Sequence, residues 1–201
     1  MFTRRFQVLA IMLGMQLQDE MFAMQPLSRR DNTYCKPIPD KYFSLKPFAT
    51  TDKVTEEQKQ DALKLLFNYV TGSTRTFDKN RNKKTLHPNG HYCSSRYKWL
   101  NLNNCAFNDG PETVEFRLHS GTIEHSKIIP FIKICMAFVN FVENRSRRVS
   151  LGFMELCNYY ERKTMSLKNP VTIAEILRYS FPEDKAQELI EHVNTRTVKF
   201  M

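Results

Sequence analysis

The sequence has no C-x-x-C pair, no internal repeat, no low-complexity tract and only six glycines. Each absence removes a class of protein. Five cysteines, at positions 35, 93, 105, 135 and 157, make an odd count, which argues against a complete disulfide framework and for a reducing compartment. A cytoplasmic location is therefore expected. His91, Cys93 and Cys105 lack the second close pair that a structural zinc site uses. Cys135 and Cys157 fall in apolar periodic segments and read as core thiols. The polar, aromatic-poor composition of a disordered chain is also missing, since 15 Phe and 8 Tyr accompany a hydrophobic fraction of 41%. With 201 residues the chain fits one domain, with or without an appendage.

The start of the chain imitates a signal peptide, because Arg4-Arg5 precedes the apolar run Phe6 to Leu13. No small-residue cleavage site follows, and Gln7, Gln16 and Gln18 interrupt the pattern. The run is also well short of the roughly 20 apolar residues that span a bilayer. It reads instead as an amphipathic helix packed in the protein, and no membrane partner is expected. The net charge of +9 attracts polyanions of any kind. Lys and Arg are spread from Arg4 to Lys199 rather than gathered on one stripe, so nucleic acid is not the expected partner.

Apolar spacing predicts a helix over about 4–24, with Phe6, Leu9, Leu13, Leu17 and Met24 on its buried side, ending before Pro26. Residues 26–47, with four prolines, read as loop. Thr55-Glu56-Glu57-Gln58 is a capping-box pattern that opens a second helix to about Val70. The following stretch to His91 reads as a solvated loop. Two strands are predicted, at Arg96 to Leu102 and Thr113 to Leu118, pairing as an antiparallel hairpin. A helix capped by Ser126 should run to about Val142 and bury Ile128, Ile132, Cys135, Met136, Val139 and Val142. Helical patterns at about 151–163, 172–180 and 183–194 follow the basic junction Arg145 to Arg148. Thr172-Ile173-Ala174-Glu175 is a further capping box, and Pro182 separates the last two helices. The expected class is α+β: a small antiparallel sheet covered by helices, with residues 1–144 as the main domain and 145–201 as a helical C-terminal tail.

The segment T-V-E-F-R-L-H, Thr113 to His119, carries the chemistry. Strand geometry turns Val114, Phe116 and Leu118 to one face and Thr113, Glu115, Arg117 and His119 to the other. The polar face aligns a carboxylate, a guanidinium and an imidazole at intervals of roughly 6.5–7 Å. Such a row suits phosphoryl chemistry, with a carboxylate on Mg²⁺ and an arginine forked onto phosphate oxygens. The same alternation also makes cross-strand ion pairs on many solvated sheets. Arg96 and Asn101 on the preceding strand add a cation and an amide.

The combination R-Y-x-x-L-N-L, T-V-E-F-R-L-H-S-G-T and K-I-x-x-x-I-x-I-C resembles the amidoligase family of phages and plasmids, whose fold is that of glutamine synthetase. S-R-R-D-N-T-Y-C-K-P, with Arg29, Arg30, Asn32, Tyr34, Cys35 and Lys36, is similar to the family's middle block, so the resemblance covers about Phe2 to Asn144. It implies an ATP-dependent carboxylate–amine ligase that phosphorylates a carboxylate to an acyl phosphate, which an amine then displaces. ATP and Mg²⁺ are the implied cofactors, and the carboxylate and amine substrates include peptides or proteins. On this resemblance Glu115 is the Mg²⁺ ligand, Arg117 and Arg96 bind ATP or acyl-phosphate oxygens, and His119 has a supporting, substrate-side role.

The family's G-x-E-x-E strand and G-x-H-x-H block do not occur in the sequence. Glu115 alone cannot satisfy octahedral Mg²⁺. The expectation is therefore a ligase incomplete on this chain alone: a fragment, one half of a split enzyme completed by an N-terminal half on another chain, or a degenerate, inactive relative. The alternative is a non-enzymatic basic viral or plasmid protein that binds a protein partner or nucleic acid.

Overall fold

A computed structural model describes residues 4–30, 32–38, 97–102, 113–148 and 171–201. Its elements are helices α1 (Arg4–Ala23) and α2 (Leu27–Arg30), strands β1 (Leu100–Asn101) and β2 (Glu115–Phe116), and helices α3 (His125–Arg148), α4 (Ile173–Ser180) and α5 (Glu183–Phe200). The described residues are mostly helical around one small antiparallel sheet, which is the expected α+β class at that level of detail. The helical patterns at 55–70 and 151–163, and the loop with His87 and His91, lie outside the described residues.

Helix α1 is the centre of the core. The predicted stripe of Phe6, Leu9, Leu13, Leu17 and Met24 is buried, and so are Ala10, Ile11, Met12 and Met21 on other sides. The glutamines that interrupt its apolar run tie it to its neighbours. Gln18 Oε1 accepts the Ile38 amide at 3.0 Å, and Gln16 Oε1 accepts the Val171 amide at 3.3 Å. Glu20 accepts the Ile173 amide at 3.1 Å, so its carboxylate stands at the positive end of α4. Thr172 closes that end with the predicted capping box, its hydroxyl accepting from Glu175 N while the Glu175 side chain accepts from Thr172 N. Gly14 is where the sheet meets α1, since a Cβ there would lie 2.9 Å from Leu100 Cδ2 and 3.1 Å from Ile38 Cδ1. A side chain there would have to displace the Leu100 and Ile38 methyls, so glycine lets the sheet come this close.

The strands are shorter than predicted, two residues each, and pair antiparallel with Leu100 opposite Phe116 and Asn101 opposite Glu115. Lys36 forms a parallel bridge with Lys98, just before β1, donating its amide to Tyr97 O at 2.7 Å and accepting from Trp99 N at 2.9 Å. The segment similar to the family's middle block is therefore adjacent to β1. Helix α2 adds one turn inside the stretch read as loop.

Helix α3 departs further from expectation. It starts at His125, so Ser126 lies inside it, and it continues through the basic residues to Arg148. Its buried residues are Ile134, Ala137, Phe138, Phe141 and Val142, whereas Ile132 and Met136 are 47% and 59% exposed. Apolar residues occur all round this helix, so periodicity does not single out one face. The face that wins carries the aromatic residues, with Phe138 packed edge-on to Trp99 and Phe116 at 6.2 and 5.4 Å between centroids. Helices α4 and α5 divide at Pro182 as predicted, and α5 runs six residues beyond the predicted end at 194, to Phe200. Helix α4 packs on α3 and α5, and α5 packs on α1 and α3.

Candidate functional site

The alternation predicted for Thr113 to His119 is present. Leu118 is buried, Phe116 and Val114 pack against the core, and Glu115 points outward with its side chain 49% exposed. On the outer face, Asn101 and Glu115 are direct cross-strand partners, and Asn101 Nδ2 donates to Glu115 Oε2 at 2.7 Å. The other carboxylate oxygen of Glu115 lies 3.3 Å from Arg117 Nε. Arg117 is fixed through its backbone, whose amide donates to Trp99 O at 2.8 Å. One carboxylate is thus held between an amide and a guanidinium at a solvent-facing sheet edge. The arrangement can orient one oxyanion and one cation toward a ligand.

His119 continues the row and stacks on Phe131 of α3 at 4.6 Å between centroids. Burial pushes its imidazole below the ordinary histidine range, backbone hydrogen bonds at Ser120 and Lys127 oppose this, and Arg196 and Arg29 push it down further. The neutral form is favoured, so the ring serves as hydrogen-bond donor and acceptor near neutral pH. Arg96 lies outside the described residues. The structure therefore brings together Glu115, Arg117 and Asn101, with His119 further along the strand.

Sequence reasoning missed several residues around this row. Lys98, the third residue of R-Y-K-W, is 4% exposed, and burial lowers its ammonium to about 8. Arg29 exerts its charge on both Cys35, beside which Arg117 also lies, and His119. Cys35 itself is fully buried, with burial pushing its thiol up to about 11, so it is a core residue rather than a nucleophile. Cys135 is only partly buried in the wall of a groove, and its thiol is also pushed up by burial. On α5, His192 and Arg196 are four residues apart and share a helix face, a spacing that charge patterning alone would have flagged.

Among the described residues no three His, Cys, Asp or Glu side chains gather where they could hold a metal ion. Glu115 is one oxygen donor, and Mg²⁺ needs several. These residues do not by themselves make a magnesium site.

An E-F-R strand paired to an L-N-L strand, with the S-R-R-D-N-T-Y-C-K-P block bridged alongside, is the arrangement on which the family resemblance rested. The family described as "Putative amidoligase enzyme" matches residues 12–139, well over half of the chain. The chain belongs to the amidoligase family. No curated protein and no solved structure matches it.

Proposed function

We propose that this chain is the C-terminal part of an ATP-dependent carboxylate–amine ligase with a glutamine synthetase-like fold, incomplete without the family's N-terminal motifs. In this reading residues 1–144 form the ligase-like domain, and the helices beyond form its tail. The substrate carboxylate oxygen attacks the γ-phosphorus of ATP, ADP departs, and an acyl phosphate forms. The amine nitrogen then attacks the acyl carbon, the carbon–oxygen bond to phosphate breaks, and the amine gives up a proton as phosphate leaves. Arg117, with Arg96, binds and neutralises phosphoryl oxygens. Asn101 orients Glu115, which is this chain's one donor toward Mg²⁺, and His119 stands on the substrate side. The remaining carboxylates belong to a complementing chain that carries G-x-E-x-E and G-x-H-x-H. A reducing cytoplasm, where ATP is available, suits the five cysteines.

The observation that carries this reading is the Asn101–Glu115–Arg117 cluster on the open face of the sheet, at 2.7 and 3.3 Å. Titration calorimetry tests it. The isolated chain should bind ATP–Mg²⁺ weakly or not at all, and a complementing chain with the two missing motifs should restore binding. Arg117→Ala should then weaken binding about tenfold or more, the scale of a lost charge-assisted contact. Unchanged ATP binding in that variant, or strongly salt-dependent binding to random DNA that ignores Glu115→Ala and Arg117→Ala, sinks the assignment in favour of a non-enzymatic basic protein.

A further inference from the structure

Strand β2 ends the sheet, since β1 is its one strand neighbour among the described residues. The ladder fixes where its remaining main-chain groups point. Arg117 N donates to Trp99 O at 2.8 Å, and in an antiparallel pair the residues that bond across alternate with residues that do not. Leu100 and Phe116, one step along and opposite each other, are therefore a non-bonding pair. The N–H and C=O of Phe116 face away from β1, along the outer edge of the sheet.

An apolar groove lies beside that edge. Val114 and Phe116 form one wall, Phe131, Ile132 and Met136 of α3 form another, Phe181 closes the end, and no β1 residue takes part. The groove thus opens on the outer side of β2. Val114 and Phe116 are only partly buried, and Ile132 and Met136 are largely exposed. An unpaired edge with an apolar wall beside it is a template for a further strand.

The order of residues in β2 says which strand fits. Glu115 and Arg117 are opposite charges placed evenly about Phe116. When a second copy of β2 lies antiparallel to the first, with a two-fold axis at Phe116, Glu115 of each copy stands opposite Arg117 of the other. The two Phe116 residues then exchange both main-chain bonds, as their outward groups require. Glu115 and Arg117 across the seam become a non-bonding pair, the kind in which side chains come closest, with Cα atoms about 4.5 Å apart. Within one copy Glu115 and Arg117 already lie 3.3 Å apart, so the seam carries four alternating charges as a network. Sliding the pairing by two residues sets Glu115 against Glu115 or Arg117 against Arg117, which like-charge repulsion disfavours. One register is singled out.

We infer that β2 and its groove are the contact surface of a symmetric dimer, in which two copies of this chain pair edge to edge through Glu115, Phe116 and Arg117. Main-chain bonds over so short an edge hold little by themselves. Burial of Val114, Ile132 and Met136 supplies the affinity. The net charge of +9 on each copy opposes association, but at physiological salt it is screened beyond about 8 Å while the paired charges at the seam are closer than that. A contact of this size gives a dissociation constant on the order of 10 µM. Unfolding measured well below that concentration reads the monomer, in which the α3 stripe is exposed. The dimer does not rest on the ligase reading.

Sedimentation equilibrium on the full chain at physiological salt, from about 1 to about 100 µM, brackets that constant. It should show a monomer–dimer equilibrium that stops at two, because the two-fold pairing uses up the edge. Glu115→Arg sets arginine against arginine twice in the dimer, and Arg117→Glu does the same with glutamate, so each variant alone should associate about tenfold more weakly or worse. Mixed in equal amounts, the two variants place opposite charges at both pairs and should form a mixed dimer as tight as the unsubstituted one. Arg178→Glu makes the same change in net charge at an exposed residue paired with Glu183 and should leave the equilibrium unaltered. Ile132→Glu touches neither strand and should also weaken the dimer about tenfold, so it decides the matter if a strand variant unfolds. An unsubstituted chain that stays monomeric throughout, assemblies larger than two, or undiminished association in Ile132→Glu overturns the inference. So does a mixture of folded Glu115→Arg and Arg117→Glu proteins that fails to recover the dimer.

Discussion

Helices α1 and α3 are both long and rich in apolar residues, but they bury them in different ways. Around α1 lie the β1 strand at Gly14, the Ile38 segment at Gln18, and the start of α4 at Gln16 and Glu20. Even its polar side chains are used as acceptors. Helix α3 packs one face on Trp99 and Phe116 and leaves Ile129, Ile132 and Met136 as an exposed stripe. Beside that stripe Val114, Phe131, Met136 and Phe181 wall an apolar groove of about 610 Å³. Residues His125–Ser146 are even apolar and long enough to cross a bilayer by composition, although 28% of that stretch is buried in the protein. Hydrophobic content alone therefore says little about burial. What decides is where the neighbouring elements stand: several surround α1, whereas Trp99 and Phe116 meet α3 on one face.

The largest effect should come from truncating α1. Leu17→Ala removes a fully buried side chain and should cost about 2–5 kcal/mol in denaturant unfolding. Met136→Ala on α3 should change stability by less than about 0.5 kcal/mol. Equal losses would mean that the stripe on α3 is buried in solution and would break the contrast.

Lys98 sharpens it next, because this buried ammonium lies two residues before Leu100, where β1 meets α1. Native Lys98 gives up its proton near 8, whereas the unfolded chain keeps it until 10.5. Between those values the unfolded state binds more protons, so stability should climb as pH rises from 8 to 10.5. The gain should be on the order of 2–3 kcal/mol and should be missing in Lys98→Met when the two proteins are unfolded in parallel.

A smaller effect than that of Leu17→Ala or of Lys98 should come from the cap of α4, whose first amides are shared between Thr172 and α1. Thr172→Ala should cost about 1 kcal/mol by thermal unfolding. A negligible change would show that the acceptors on α1 suffice to hold that end.

The contrast also explains what could be read from the sequence. Helix α1 was legible because Phe6, Leu9, Leu13 and Leu17 fall on one stripe and Pro26 marks its end. The α4 cap was legible because a capping box is a local device, closed by residues three apart. The buried face of α3 was not, since Ile128, Ile132 and Met136 match the helical period as well as Ile134, Phe138 and Phe141 do. Choosing between them takes knowledge of where Trp99 stands. In the site, alternation gave the outward row of Glu115, Arg117 and His119 correctly. The pairing of Glu115 with Asn101 depends on strand register.

The bond from Ile173 to Glu20 spans 153 positions, and that from Arg196 to Met24 spans 172. Helix α1 therefore finds these partners only after more than 150 further residues have been made. Until then Gln16 and the Glu20 carboxylate lack the amides of Val171 and Ile173. Premature termination after Arg148 would leave α1 without the groups that use Gln16 and Glu20 as acceptors, a nascent product suited to capture by chaperones rather than to slow completion on its own.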